Sequence, residues 1–371
     1  MRNRPHSRIG RWLAASVFVY LAVGISSASA DQSQFVNAKL ETRSGAQGLE
    51  PTVQQIASES EQPQWIAYGV ARIASNEHSN CCWNYRGNGE DWCGICRLEH
   101  EDGKVATGKD DGSTVKLEGT PEITVLVRVE QKRVMRIRVA PGQCTLDAGG
   151  LRAIWLSDVK PNESVAFLTS YVEGGRGQGE PHSDLREQAL MAIAQHADVS
   201  ADQAFARFVA PGQPRWVRER ASFWLGAARG ESGLTLLEKM AKNDPDPDMR
   251  EKVAFAMFVS HAPGAVDDII RMAKDDENAG VRGQALFWLG QKAGQKASAA
   301  INGAIQNDPD TEVKKKAVFA LSQMPKDEGV PKLIEVAQKN KNPEVRKQAM
   351  FWLGQSNDPR ALSFFEQILS H

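Results

Sequence analysis

Over residues 185–371 apolar positions keep a helical beat, and the whole pattern returns every 32 residues. Leu185, Val217, Met249, Val281, Val313 and Val345 lead six units, and each is followed by a basic residue: Arg186, Arg218, Arg250, Arg282, Lys314 and Arg346. A small apolar residue stands four positions on (Ala189, Ala221, Val253, Ala285, Ala317, Ala349) and a Leu-like one eight positions on (Ile193, Leu225, Met257, Leu289, Leu321, Leu353). These offsets share one helical face. A second apolar series, Phe205, Leu237, Ile269, Ile301, Leu333 and Phe365, marks a second helix in every unit. Asp246-Pro247-Asp248 and Asn342-Pro343-Glu344 supply the cap, first-turn proline and acid that a helix start favours. Each unit therefore predicts a helical hairpin too small to bury its own apolar face. Stacked together, the six predict an α-solenoid with one continuous core.

Upstream the beat changes. A helix is expected over 52–60, a strand over 65–73, a hairpin over 123–130 and 133–140 from the alternation of Val125, Val127 and Val129, and a closing helix over 162–172. This predicts an α+β domain over residues 31–173. Residues 174–184 are glycine-rich and read as a linker between semi-independent domains. At the start, Arg2, Arg4, Arg8 and Arg11 precede an apolar run from Trp12 and an Ala28-Ser29-Ala30 cleavage site, so residues 1–30 read as a secretory signal peptide. The run is too short to span a bilayer, and no later segment is long enough, which predicts no membrane span after cleavage.

The array over 185–371 resembles the HEAT-repeat family. Val-Arg-x-x-Ala-x-x-x-Leu-Gly in residues 345–354 looks like the short bacterial subclass first associated with bilin lyases. The resemblance implies a helical solenoid and protein–protein interaction. Lyase activity belongs to a few cytoplasmic members, from which the export signal separates this chain. The N-terminal half resembles no family.

Charge narrows the partner. The chain holds 45 Lys and Arg against 46 Asp and Glu, no polycationic signature of the sort nucleic-acid binding demands. All five cysteines, Cys81, Cys82, Cys93, Cys96 and Cys144, lie in the first half. In an oxidising compartment they read first as structural disulfides that staple the N-terminal domain, with Cys144 tied back to the cluster. His78, Cys81, Cys93 and Cys96 also have zinc-ligand types and spacing. A redox-active Cys93-x-x-Cys96 pair is a further reading. No phosphate loop, nucleophile elbow or His-Glu-x-x-His is present, so a non-enzymatic protein without a cofactor is expected.

Seven residues past each anchor run Ala192, Trp224, Ala256, Trp288, Ala320 and Trp352, large against small as close packing demands, so Trp224, Trp288 and Trp352 are expected in the core; the alternative reading makes residues 223–226, 287–290 and 351–354, led by Phe223, Phe287 and Phe351, an aromatic ligand-binding ladder. The basic residue after each anchor is expected to pair between repeats, with Asp244, Asp276 and Asp308 recurring at the same period and Asn340 ending the series. Surface candidates are Lys314, Lys315 and Lys316 as a basic run, with Glu238, Lys242, Arg271, Lys274, Lys332 and Glu335 on the second helices, expected to line the concave side. The chain thus reads as an exported scaffold that binds another protein. The alternatives are a thiol-disulfide or zinc enzyme of the cell envelope centred on Cys93 and Cys96, or an accessory subunit of an enzyme.

Overall fold

The structure is a computed structural model that describes residues 33–74, 96–99, 121–174, 185–292 and 294–370. Its head runs β1 (Phe35–Val36), β2 (Lys39–Ser44), α1 (Leu49–Glu59), β3 (Gln64–Ala71), β4 (Cys96–Arg97), β5 (Glu122–Glu130), β6 (Arg133–Pro141), β7 (Leu146–Asp147), β8 (Arg152–Ser157) and α2 (Pro161–Glu173). A five-stranded sheet has the order β2-β8-β3-β5-β6, with β8 parallel to both β2 and β3 and the remaining pairs antiparallel. A small sheet, β1-β7-β4, lies apart from it.

Strand alternation decides how the head is layered. Ile66, Tyr68 and Val70 of β3, Val125 and Val127 of β5, and Ile154 and Leu156 of β8 meet Leu49 and Val53 of α1 and Val165 and Leu168 of α2 in one core. Trp65, Ala67, Leu126, Ala153 and Trp155 point the other way and pack on Cys96, Leu98, Cys144 and Leu146 of the small sheet's side. The expected helices and strands of the head are present. β8, buried between two parallel neighbours, was missed: the four-residue apolar run Ala153 to Leu156 offers no alternation to read.

Twelve helices follow as hairpins: α3 (Leu185–Gln195) with α4 (Val199–Phe208), α5 (Arg215–Ala228) with α6 (Gly230–Asn243), α7 (Pro247–Val259) with α8 (Ala265–Asp275), α9 (Ala279–Gln291) with α10 (Gln295–Asn307), α11 (Thr311–Gln323) with α12 (Lys326–Lys339), and α13 (Pro343–Gln355) with α14 (Pro359–Leu369). Side chains of Asp246, Asn278, Asp310 and Asn342 cap the first helices of the last four hairpins by accepting from backbone N–H groups two or three residues on. Adjacent first helices come to backbone contact. A Cβ on Gly226 would collide with the Ala256 carbonyl, and one on Gly290 would lie 2.6 Å from the Ala320 oxygen. Gly354, in the same place on α13, meets nothing within 4 Å because no hairpin follows it here.

Head and array are not the semi-independent bodies expected. The helix-side core of the head continues into the array without a break, because α2 packs on α3 and α4. Ile73 N–H donates to Gln195 O and Ala197 N–H to Ala71 O, extending strand-like pairing across the junction. Residues 175–184, the expected linker, lie outside the described residues, as do Cys81, Cys82 and Cys93. At the centre of the junction His196 is fully buried. Its Nδ1 lies 2.8 Å from Ala192 O and its Nε2 2.8 Å from Ser164 Oγ, itself 2.9 Å from Tyr68 Oη. A neutral imidazole donating to Ala192 O and accepting from Ser164 satisfies this chain completely. The buried Arg229 closes it from below, bonding the carbonyls of Ala194 and His196 and the Asp202 carboxylate.

Burial drives the His196 imidazole down to about 4 from an ordinary 6.5, outweighing the Ala192 carbonyl that favours its charge. The unfolded chain then takes up the proton first as pH falls, so stability is full above about pH 6.5 and declines towards pH 4, by about 2 kcal/mol at pH 5. Urea melts at pH 7, 6 and 5 should show this slope, and His196→Gln should flatten it; an unchanged slope in the variant would assign it elsewhere. The close helix approach gives a second test. Gly290→Ala should cost about 1–3 kcal/mol through overpacking, whereas Gly354→Ala should be neutral or stabilising by up to about 1 kcal/mol through helix propensity.

Candidate functional site

A row of aromatic rings follows from the backbone contact between first helices. Six residues past each anchor stand Met191, Phe223, Phe255, Phe287, Phe319 and Phe351, a strict 32-residue series that adds Phe255 and Phe319 to the rings singled out from sequence. The indoles of Trp224, Trp288 and Trp352 slot between them. Ring centroids step from Trp224 to Phe223 (5.2 Å), Phe255 (6.2 Å), Trp288 (4.8 Å), Phe287 (4.8 Å), Phe319 (6.0 Å), Trp352 (4.8 Å) and Phe351 (4.9 Å). The three tryptophans are therefore not wholly core. They are half-buried, packed against the core and in contact with the ring row. Trp224 Nε1 donates to Glu187, while Nε1 of Trp288 and of Trp352 has no hydrogen-bond partner.

The ring row lies on the layer of first helices. First helices come to backbone contact, and successive second helices meet less closely. A groove of about 300 Å³ opens between α10 and α12, lined by Asn302, Gln306 and Glu335, and one of about 350 Å³ between α12 and α14, lined by Ile334, Gln338 and Phe364. Glu238, Lys242, Arg271, Lys274, Lys332 and Glu335 lie on the second helices, the layer away from the ring row. There Arg271 pairs with Asp268 and reaches Glu238 at 3.4 Å, Glu335 meets Lys339 at 3.5 Å, and Lys242 and Lys274 are exposed.

Beneath the row, charge ties one hairpin to the next. Arg218 pairs with Asp244, Arg250 with Asp276 (2.8 Å) and Arg282 with Asp308 (2.8 Å), all buried. Each aspartate also holds its loop: Asp244, Asp276 and Asp308 accept from the N–H two residues on, and the carbonyls of Asp244 and Asp276 accept from the next arginine. The carboxylates hold the Arg250 and Arg282 guanidinium groups above their usual range, through the hydrogen bonds from Asp276 and Asp308. At the fourth interface Asn340 keeps the loop bond and its carbonyl accepts from Arg346, but Lys314 turns to Gln306 O at 3.3 Å. Arg186 instead lies over the Trp216 ring at 4.1 Å. Of the basic run, Lys315 pairs with Glu312 at 3.0 Å, and exposed Lys316 crosses the space left by Gly283.

In the head, Cys96 and Cys144 are buried beside Trp65 and Trp155. Cys81, Cys82, Cys93 and His78 lie outside the described residues, so the cluster is not assembled here. Among the described residues no group of three or more His, Cys, Asp or Glu side chains could hold a metal, and no helix is long and apolar enough to cross a membrane.

Comparison with known proteins places the repeats. The family described as HEAT repeats matches residues 266–338 and 297–371; the N-terminal part is not recognised. No curated protein matches the chain. Similar solved structures include human deoxyhypusine hydroxylase in complex with glycerol, at 14% identity over 56% of this chain and 90% of that one with a TM-score of 0.26. The complex of CpcE and CpcF of phycocyanin lyase from Nostoc sp. PCC7120 is similar at 20% identity over 42% and 99%, with a TM-score of 0.32. The S. pombe condensin Cnd3-Cnd2 subcomplex is similar at 18% identity over 54% and 28%, also with a TM-score of 0.32.

The charge ladder predicts its own response to substitution. Asp308→Asn leaves the Arg282 guanidinium buried without its carboxylate and should cost about 3 kcal/mol. Adding Arg282→Lys copies the Lys314 and Asn340 arrangement and should recover at least about 1 kcal/mol, a coupling that a double-mutant cycle in urea reads directly. Strict additivity would mean the pair does not act as a unit.

Proposed function

We propose that this chain, whose C-terminal helices carry HEAT repeats, is an exported, non-enzymatic scaffold that binds another protein along its solenoid. The observation that carries the proposal is the ring row. Eight aromatic side chains in contact, packed alternately edge-on and face-on, stay partly exposed on the layer of first helices, ending in Phe351 at 54% exposure beside Met350 at 37%. A continuous apolar strip of that length on a soluble surface marks an interaction site. The repeats support the scaffold role, since a solenoid presents an extended concave surface. Export rests on the basic, apolar and small-residue order of residues 1–30. The oxidising destination and the stapled head rest on the five cysteines gathered in the N-terminal half, of which Cys96 and Cys144 are buried beside Trp65 and Trp155.

Because head and array share a core, the test keeps the chain whole. Full-length chain with its own leader is expressed with a photo-crosslinking residue at Phe351, on the ring row, or at Leu362, exposed on the last second helix. We expect processed protein in the envelope fraction and a protein adduct from position 351. Unprocessed chain in the cytoplasm would overturn export, and no protein adduct from either position would overturn the scaffold role.

A further inference from the structure

One contact within the molecule shows what the face formed by the first helices accepts. Three residues past the anchor, and one helical turn before each ring, stand Gln188, Arg220, Lys252, Gln284, Lys316 and Gln348. In the first hairpin this position is filled: Gln188 Oε1 accepts the backbone N–H of Ile137 at 2.7 Å. Ile137 belongs to β6, the edge strand of the head sheet, so an extended backbone already lies against the start of the array. Gln284 and Gln348 repeat that amide three and five hairpins further on, both partly exposed, beside Phe287 and Phe351.

We infer that the face formed by α9, α11 and α13 is a groove for an extended, acidic polypeptide segment of the partner, continuing along the array what β6 begins. The inference rests on the scaffold reading and names its ligand. Alternate side chains of an extended chain are about 6.6 Å apart, close to the 6.0 Å step from Phe287 on α9 to Phe319 on α11, so two apolar side chains on one edge of the segment meet these two rings. The glutamine amides accept main-chain N–H groups, as Gln188 does, which gives binding that tolerates sequence change in the segment. Charge selects its sign. These three helices bring Lys316 and Lys347, exposed and without an ion-pair partner among the described residues. Their acids are confined to the first turn, Glu312 and Glu344, and Glu312 is taken by Lys315.

The probe is a phage-displayed library of random twelve-residue peptides selected on the mature chain, residues 31–371, followed by fluorescence anisotropy on synthetic winners. We expect winners rich in Asp or Glu alternating with apolar residues, binding more weakly as salt rises. Gln284→Ala with Gln348→Ala should weaken binding at least tenfold with unchanged circular dichroism and melting, as should Lys316→Glu with Lys347→Glu. Methylating alternate backbone nitrogens of a winner should abolish binding in one register and spare it in the other. No enrichment, basic winners, indifference to the glutamine pair, or binding of chitohexaose in place of peptide would each overturn the inference. A protein adduct from position 351 alongside any of those results would leave the scaffold standing and remove only the extended segment.

Discussion

Backbone contact between adjacent first helices is the constraint on which the array depends. A 32-residue hairpin has two short helices and no interior of its own, so stability comes from the interface with the next hairpin. Gly226 against Ala256 and Gly290 against Ala320 bring those helices together. At that separation no space remains between them for an indole, and the tryptophan in the neighbouring position is displaced to the rim. The same contact that builds the core therefore builds the ring row and leaves the second helices less closely packed, with grooves between them.

The charge ladder serves the loops as much as the interfaces. A buried ion pair gains little net free energy once desolvation is counted, but each aspartate here also accepts a backbone N–H that fixes the entry to the next first helix. Asn340 preserves that second duty without the charge, and Lys314 swings out to a carbonyl. The loop bond is thus kept at the last four interfaces, while the ion pair is dispensable at one of these. Of the basic run of α11, Lys316 is left exposed without an ion-pair partner among the described residues.

The head acts as the N-terminal cap of the solenoid. Terminal hairpins of a repeat array expose an apolar face that something must cover, and α2 with strand β6 covers that of α3. The polar chain through Tyr68, Ser164 and His196 sits where sheet, helix layer and array meet, fully bonded when the imidazole is neutral. Docking an edge strand against a helix also disposes of the unpaired backbone groups that edge strands carry.

Much of this was legible in the residues themselves. Periodicity alone set the hairpins, their caps and the alternation of Trp and Ala, because helical faces, capping side chains and interfacial volume are local or near-neighbour properties repeated six times. The strict Phe series that includes Phe255 and Phe319 was equally readable and went unread beside the more conspicuous tryptophans. Tertiary structure alone decided the rest. Which helix layer packs tighter depends on Cβ clearances across an interface, and these bring the first helices to backbone contact. That β8 is central, that the head shares the array's core, and that Gln188 holds the backbone of Ile137 are contacts between distant residues, for which a one-dimensional pattern has no signal.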